Sequence, residues 1–212
     1  MHTITVKNYS KTIKGAKVLD NISMILESGK IYGLVGRNGS GKTMLIRALA
    51  RLITPTSGTI IYDNIDITQP DKIKLRPGIV LETAEMYPHL TGYENLKFLA
   101  SINNFIDADT IKFHLKRVGL NPDDSRIYKK YSLGMKQRLA IAQAIMEKPD
   151  YLLFDEPTNA LDSEGLCLWR EIVSEESKRG AIIVLCSHSK DEINALCNTI
   201  FTMSDGSIIN YE

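Results

Sequence analysis

The chain has 212 residues, 43% of them hydrophobic, with 26 lysines and arginines against 25 aspartates and glutamates. That length fits one globular domain with a full core, and a formal net charge of +1 excludes a general electrostatic attraction to nucleic acid. The opening MHTITVKNYS carries no apolar targeting segment, and every apolar run is far shorter than the roughly 18 residues of a membrane span, so the expected location is cytoplasmic.

In chain order, ITVKNY and VLDNISMIL alternate apolar and polar residues as strands do, and IYGLV (Ile31 to Val35) is a continuous apolar run of the kind found in strands buried on both faces. GRNGSGKT follows, and then TMLIRALARL, apolar at helical spacing. SGTIIYDNIDI reads as a turn feeding a further strand. From Leu90 to Pro149 the pattern changes to three helical stretches, TGYENLKFLASI, ADTIKFHLKRVGL and MKQRLAIAQAIMEK, with no strand among them. YLLF (Tyr151 to Phe154) and AIIVLC (Ala181 to Cys186) return to buried strands, and SDGS near the end marks a hairpin turn. The interleaving predicts an α/β sheet covered by helices, with a helical block inserted into it. Cys167, Cys186 and Cys197 lack C-x-x-C spacing and read as reduced, mostly buried thiols rather than disulfide or zinc partners. His2, His89 and His114 show no metal-binding spacing, and Trp169 reads as core.

Three motifs carry chemistry. Gly36 to Thr43 match G-x-x-x-x-G-K-[ST], whose loop amides turn toward phosphates while the lysine reaches the terminal phosphates and the hydroxyl binds magnesium. The flanking strand and helix are the context that mechanism requires. YLLFDEPTNALD ends a buried strand in Asp155, placed to hold magnesium opposite Thr43, and Glu156 follows, suited to take a proton from an attacking water. His188, just beyond AIIVLC, is placed to hydrogen-bond a terminal phosphate or that water. In YSLGMKQRLAIAQAI, Ser132 and Gly134 stand at the mouth of a helix, where unpaired amides and the macrodipole favour either a serine N-cap or an approaching anion.

Along essentially its whole length the chain resembles the ATP-binding subunit of an ABC transporter. The resemblance rests on GRNGSGKT as the Walker A loop, YLLFDE as Walker B, NALD as the D-loop, His188 as the switch histidine and YSLGM at the place of the LSGGQ-type signature. It implies a P-loop NTPase of ABC type, with a mixed sheet in a core of residues 1–89 and 150–212 and an inserted helical subdomain of about 90–149. It implies ATP and Mg2+ as ligands, with Gly36, Asn38, Gly39, Ser40, Gly41, Lys42, Thr43 and Met44 around the phosphates, Thr43 and Asp155 on the metal, and Lys42, Glu156 and His188 in catalysis. It implies a second nucleotide-binding domain, so that Ser132 and Gly134 close over ATP held by the other chain and Asp162 communicates between the two sites. A separate membrane permease, with this chain peripheral on the inner face of the membrane, and no nucleic-acid partner complete that picture.

Three features depart from the family pattern. The signature lacks its first glycine and its glutamine, replaced by Leu133 and Met135. Glu82 stands where a Q-loop glutamine is usual and is a candidate for the magnesium shell. Ile13 falls where an aromatic commonly stacks on adenine, which leaves only apolar contact with the base. By the same resemblance Glu82 to Asn95 is the candidate permease-docking surface, with Met86, Tyr87 and His89 exposed. The signature style is similar to that of ATPases of peptide-antibiotic resistance exporters. The alternative within the family is a soluble ATPase in a non-transport role such as iron-sulfur assembly.

Overall fold

A computed structural model describes residues 2–68, 77–81 and 85–212. Two sheets lie against each other. β1 (Thr3–Ile13), β2 (Ala16–Glu27), β4 (Ser57–Tyr62) and β5 (Ile65–Asp66) form an antiparallel sheet in the order β2-β1-β4-β5. The second sheet contains β3 (Ile31–Val35), β6 (Gly78–Val80), β7 (Tyr151–Asp155), β8 (Ile182–Cys186), β9 (Thr199–Ser204) and β10 (Ser207–Tyr211), in the order β10-β9-β3-β8-β7-β6. Its pairings are parallel except for the β9–β10 hairpin. Every residue of β7 and β8 is buried, which is why those runs show no alternation in the sequence.

The helices are α1 (Lys42–Leu49), α2 (Gly92–Asn103), α3 (Ala108–Arg117), α4 (Leu133–Ile145), α5 (Ser163–Arg179) and α6 (Lys190–Leu196). α2 begins at a capping box: Glu94 N donates to Thr91 Oγ1 while Thr91 N donates to Glu94 Oε2. α2 to α4 fill the stretch expected to be helical; the one pairing there is an isolated bridge between Thr91 and Ile127.

The six-stranded sheet divides the core in two. On one face α1 and the antiparallel sheet bury Leu45, Ile46, Leu49, Ile4, Leu19 and Leu26 against Leu153 and Val184. On the other face α2, α3, α4 and α5 bury Leu96, Ile111, Leu139 and Trp169 against Leu152, Phe154 and Leu185. Trp169 meets Phe154 edge-on at 4.6 Å between ring centroids. The inserted helices therefore share a core with α5, whose sequence belongs to the α/β part. Two details correct the reading from sequence: Cys167 is exposed, and Met86 packs against the second core cluster instead of standing free; Tyr131, beside the signature serine, is buried and accepts a hydrogen bond from Gly92 N. Glu82 lies outside the described residues.

Candidate functional site

Parallel strands direct their carboxyl ends to one edge, where ligands of such sheets bind. β3 delivers the glycine-rich loop there, β7 delivers Asp155 and Glu156, and β8 delivers His188. Two glycines of the loop are required by its conformation. Gly36 has φ 151°, and a Cβ on it would stand 2.4 Å from the Met203 carbonyl oxygen; Gly41 has φ 103°, and a Cβ there would stand 3.0 Å from the Val18 carbonyl oxygen. The loop is thus pressed against β9 and β2, and Gly41 opens α1 with no side-chain cap, leaving the first-turn amides to an outside acceptor.

A cavity of about 690 Å3 sits over this edge, lined by residues 38–44, Asp155, Glu156 and His188, together with Lys17, Val18, Asn159, Asp205 and Gly206. Lys42 is buried, and its Nζ donates to the carbonyl oxygens of Gly36 at 2.7 Å and Arg37 at 3.2 Å, so two of its three protons are engaged and one is left for a phosphate. Gly36 itself lies behind the lysine and outside the cavity lining. Asp155 is buried, and its Oδ2 makes no hydrogen bond among the described residues; Thr43 lines the same cavity. An orphaned carboxylate oxygen and a threonine hydroxyl on residues lining one cavity are oxygen donors of the kind a hard divalent cation takes, so Asp155 and Thr43 fit Mg2+.

Glu156 leaves β7 with φ 51°, a left-handed conformation uncommon outside glycine, which turns its side chain off the strand direction and into the cavity. Its Oε2 accepts from His188 N at 3.2 Å, and His188 Nε2 lies 3.1 Å from Oε1 without hydrogen-bond alignment. Burial pushes the Glu156 carboxyl above the ordinary carboxylate range; His188 opposes that shift, Asp155 adds to it and Lys42 opposes it. The result is a carboxylate held as a stronger base than a solvated glutamate, next to a half-exposed imidazole.

The signature residues lie elsewhere. Ser132 N-caps α4, accepting from Met135 N at 3.2 Å, and Gly134 is needed because a Cβ on it would stand 2.8 Å from the Ala160 carbonyl oxygen. With Arg138, Ala160 and Asp162 they line a separate cavity of about 280 Å3. Asp162 N-caps α5 through Gly165 N. Ile13 sits at the end of β1, 38% exposed, and is absent from the lining of the large cavity; Lys17 and Val18 of β2 take that wall. Asp205 and Gly206, legible in the sequence only as a hairpin turn, also reach the cavity, because Gly206 N donates to the Ser40 carbonyl at 3.0 Å and draws the β9–β10 turn against the loop.

Comparison with known proteins agrees with this geometry. The family model described as ABC transporter matches residues 19–159. An uncharacterized ABC transporter ATP-binding protein of Bacillus subtilis, YybJ, is 45% identical over 97% of this chain and 94% of its own length. The bacitracin transport ATP-binding protein BcrA of Enterococcus faecalis is 36% identical over 98% of this chain and 68% of its own, and the lantibiotic transport ATP-binding protein SrtF of Streptococcus pyogenes is 35% identical over 97% and 89%. Among solved structures, the dimeric bacterial ABC transporter cassette MJ0796 superimposes with a TM-score of 0.87 at 25% identity, covering 99% of this chain and 97% of that one. The chain belongs to the ABC transporter family, as an ATP-binding and ATP-hydrolysing subunit of a transporter.

Proposed function

We propose that this chain drives export of a peptide-antibiotic type of cargo by closing with a second copy of itself around two ATP molecules, docked on a separate membrane permease. The observation that carries the composite site is the separation of its parts: Lys42, Thr43, Asp155, Glu156 and His188 share one cavity, while Ser132 and Gly134 line another. A site with a base and a phosphate loop but without the signature residues is complete only when another chain supplies them. The dimeric assembly of MJ0796 supports this reading, and the bacitracin and lantibiotic transport relatives support the cargo class. Among the described residues no helix is long and apolar enough to cross a membrane, so the transport path belongs to a partner.

In this reading the loop amides and Lys42 hold the triphosphate, and Glu156 takes the proton of the attacking water while His188 fixes the carboxylate and the water. Asp155 and Thr43 would hold Mg2+, which when bound would neutralise charge at the phosphates. Glu85, Tyr87 and His89 are exposed before α2 and form the described part of the permease-docking surface. Specific ATPase activity measured against protein concentration tests the composite site: it should rise as dimer forms, and a constant value across a demonstrated monomer–dimer range rules the site out. A tagged chain purified from detergent-solubilised membranes should carry a polytopic protein in stoichiometric amount; exclusive recovery of soluble partners refutes the transport assembly.

A further inference from the structure

Arg138 is a charged side chain only 8% exposed, in the second turn of α4, and neither the phosphate cavity nor the Ser132 cap uses it. Its guanidinium reaches out of the helical block: Nη2 donates to Asp162 Oδ1 at 2.6 Å and to Glu164 Oε2 at 3.2 Å, and Nη1 donates to the Val118 carbonyl at 3.4 Å. Two glycines clear room for it. A Cβ on Gly119 would stand 2.3 Å from Nη1, and one on Gly165 3.3 Å from Nε. Asp162 Oδ1 also accepts from Gly165 N, so one oxygen holds both the α5 cap and the guanidinium. Burying an arginine is unfavourable unless such partners are in place, which makes this arrangement specific to one relative placement of α4 and α5.

Two more contacts join the same pieces. Gln137 Nε2 donates to the Pro157 carbonyl at 2.9 Å, and Gly134 brings the α4 backbone so close to Ala160 that no side chain fits between. Residues 157–162 are therefore held along the first turns of α4 at three points, and that loop begins at the residue after Glu156.

We propose that Arg138 is a positioning residue that makes the signature end of α4 and loop 157–162 move as one body, so that engagement of a chain's own Ser132 by its partner's nucleotide sets the geometry of that chain's Glu156. The proposal rests on the composite-site reading above, and it assigns the coupling between the two ATP sites to a clamp inside each chain. A fork-shaped guanidinium spanning two carboxylates and a carbonyl transmits displacement of α4 to Asp162 directly, whereas a single ammonium on a flexible stem does so poorly.

The test compares wild type with R138M and R138K by thermal unfolding, ATP binding at monomer concentrations, and steady-state hydrolysis against ATP. Methionine keeps the apolar stem, and Asp162 and Glu164 are exposed enough to remain solvated on their own. For R138M we expect monomer ATP affinity within about twofold of wild type, kcat lowered about tenfold with KM little changed, and a Hill coefficient reduced to about one. R138K should lie between the two. Wild-type kcat and cooperativity in a folded R138M, or in R138K where R138M does not fold, overturn the proposal. So does a loss of monomer ATP binding in parallel with kcat, which marks Arg138 as a brace only. If wild type itself shows activity independent of protein concentration, the composite site fails and the clamp with it; if wild type is concentration-dependent and the Arg138 variants are indistinguishable from it, only the clamp fails.

Discussion

The N-termini of α1 and α4 each face a cavity, and they do it in opposite ways. α1 opens with Gly41 and no side-chain cap; α4 opens with Ser132, whose hydroxyl already accepts Met135 N. The first leaves its amides to whatever anion enters, within one chain. The second is closed by its own serine and is tied by side chains to a loop that leads back to Glu156. The same helix-end physics thus serves binding in one place and communication in the other. In the proposed composite site, ATP binding is accordingly a property of the single chain and hydrolysis a property of the pair.

The largest effect expected is at Glu156. Glu156→Gln keeps the shape of the side chain and removes the base, so hydrolysis should fall at least about a hundredfold while ATP binding persists and the ATP-bound dimer accumulates. Gel filtration with ATP and Mg2+ reads the trapped dimer; its absence speaks against closure around ATP. The next largest effect separates the two helix ends. Gly41→Ala forces a side chain into a left-handed backbone position against the Val18 carbonyl, and ATP affinity of the monomer should drop about tenfold. Ser132→Ala costs α4 its cap, about 1 kcal/mol of stability, and should spare monomer binding while lowering dimer turnover. Equal losses of monomer binding in the two variants, measured by calorimetry, would break the contrast.

A smaller effect sharpens it from the side of the base. Because Glu156 is raised above the usual carboxylate range, the acid limb of kcat should lie above the pH expected for a solvated glutamate, with activity lost as pH falls through it. His188 holds that shift down, so His188→Ala should move the limb to higher pH besides lowering the rate. A limb that stays in place in pH–rate profiles of the two proteins removes His188 from contact with the base.

How far this was legible in the sequence follows from what each residue answers to. The phosphate loop, Asp155, Glu156 and His188 were readable because each belongs to a short contiguous motif beside a buried apolar strand. Ser132 was readable as a cap or an anion site, and the structure of one chain shows the cap. Arg138 was not, since an arginine amid helical residues looks like a solvated face until Gly119, after α3, and Asp162 and Gly165, at the start of α5, converge on it from two other places in the chain. Lys17, Val18, Asp205 and Gly206 reach the cavity for the same reason: long-range hydrogen bonds, such as Asp20 N to the Gly206 carbonyl, bring two hairpins to the loop. Ile13 was placed by analogy of position, and the course of β1 and β2 gives its wall to other residues.

The smallest effect concerns stability and falls on the helical half alone. His114 of α3 is buried, and neither ring nitrogen has a hydrogen-bond partner among the described residues. Burial, with Arg117 and Lys148 adding to it and Glu176 opposing, lowers its pKa from 6.5 to about 4. The unfolded chain therefore takes up a proton that the folded chain refuses, so the fold is fully stable above the unfolded value and loses stability as pH falls toward the folded one, by about 2 kcal/mol at pH 5. His114→Leu should abolish that component: the two proteins should unfold alike in denaturant at pH 8, and the variant should be the more stable at pH 5. Since the proton enters the layer that carries α3 and α4, amide exchange in those helices should quicken first in acid, ahead of α1 on the other face of the sheet. Equal acid sensitivity of wild type and variant would mean that carboxylates elsewhere dominate, and that the two faces of the sheet respond to pH as one.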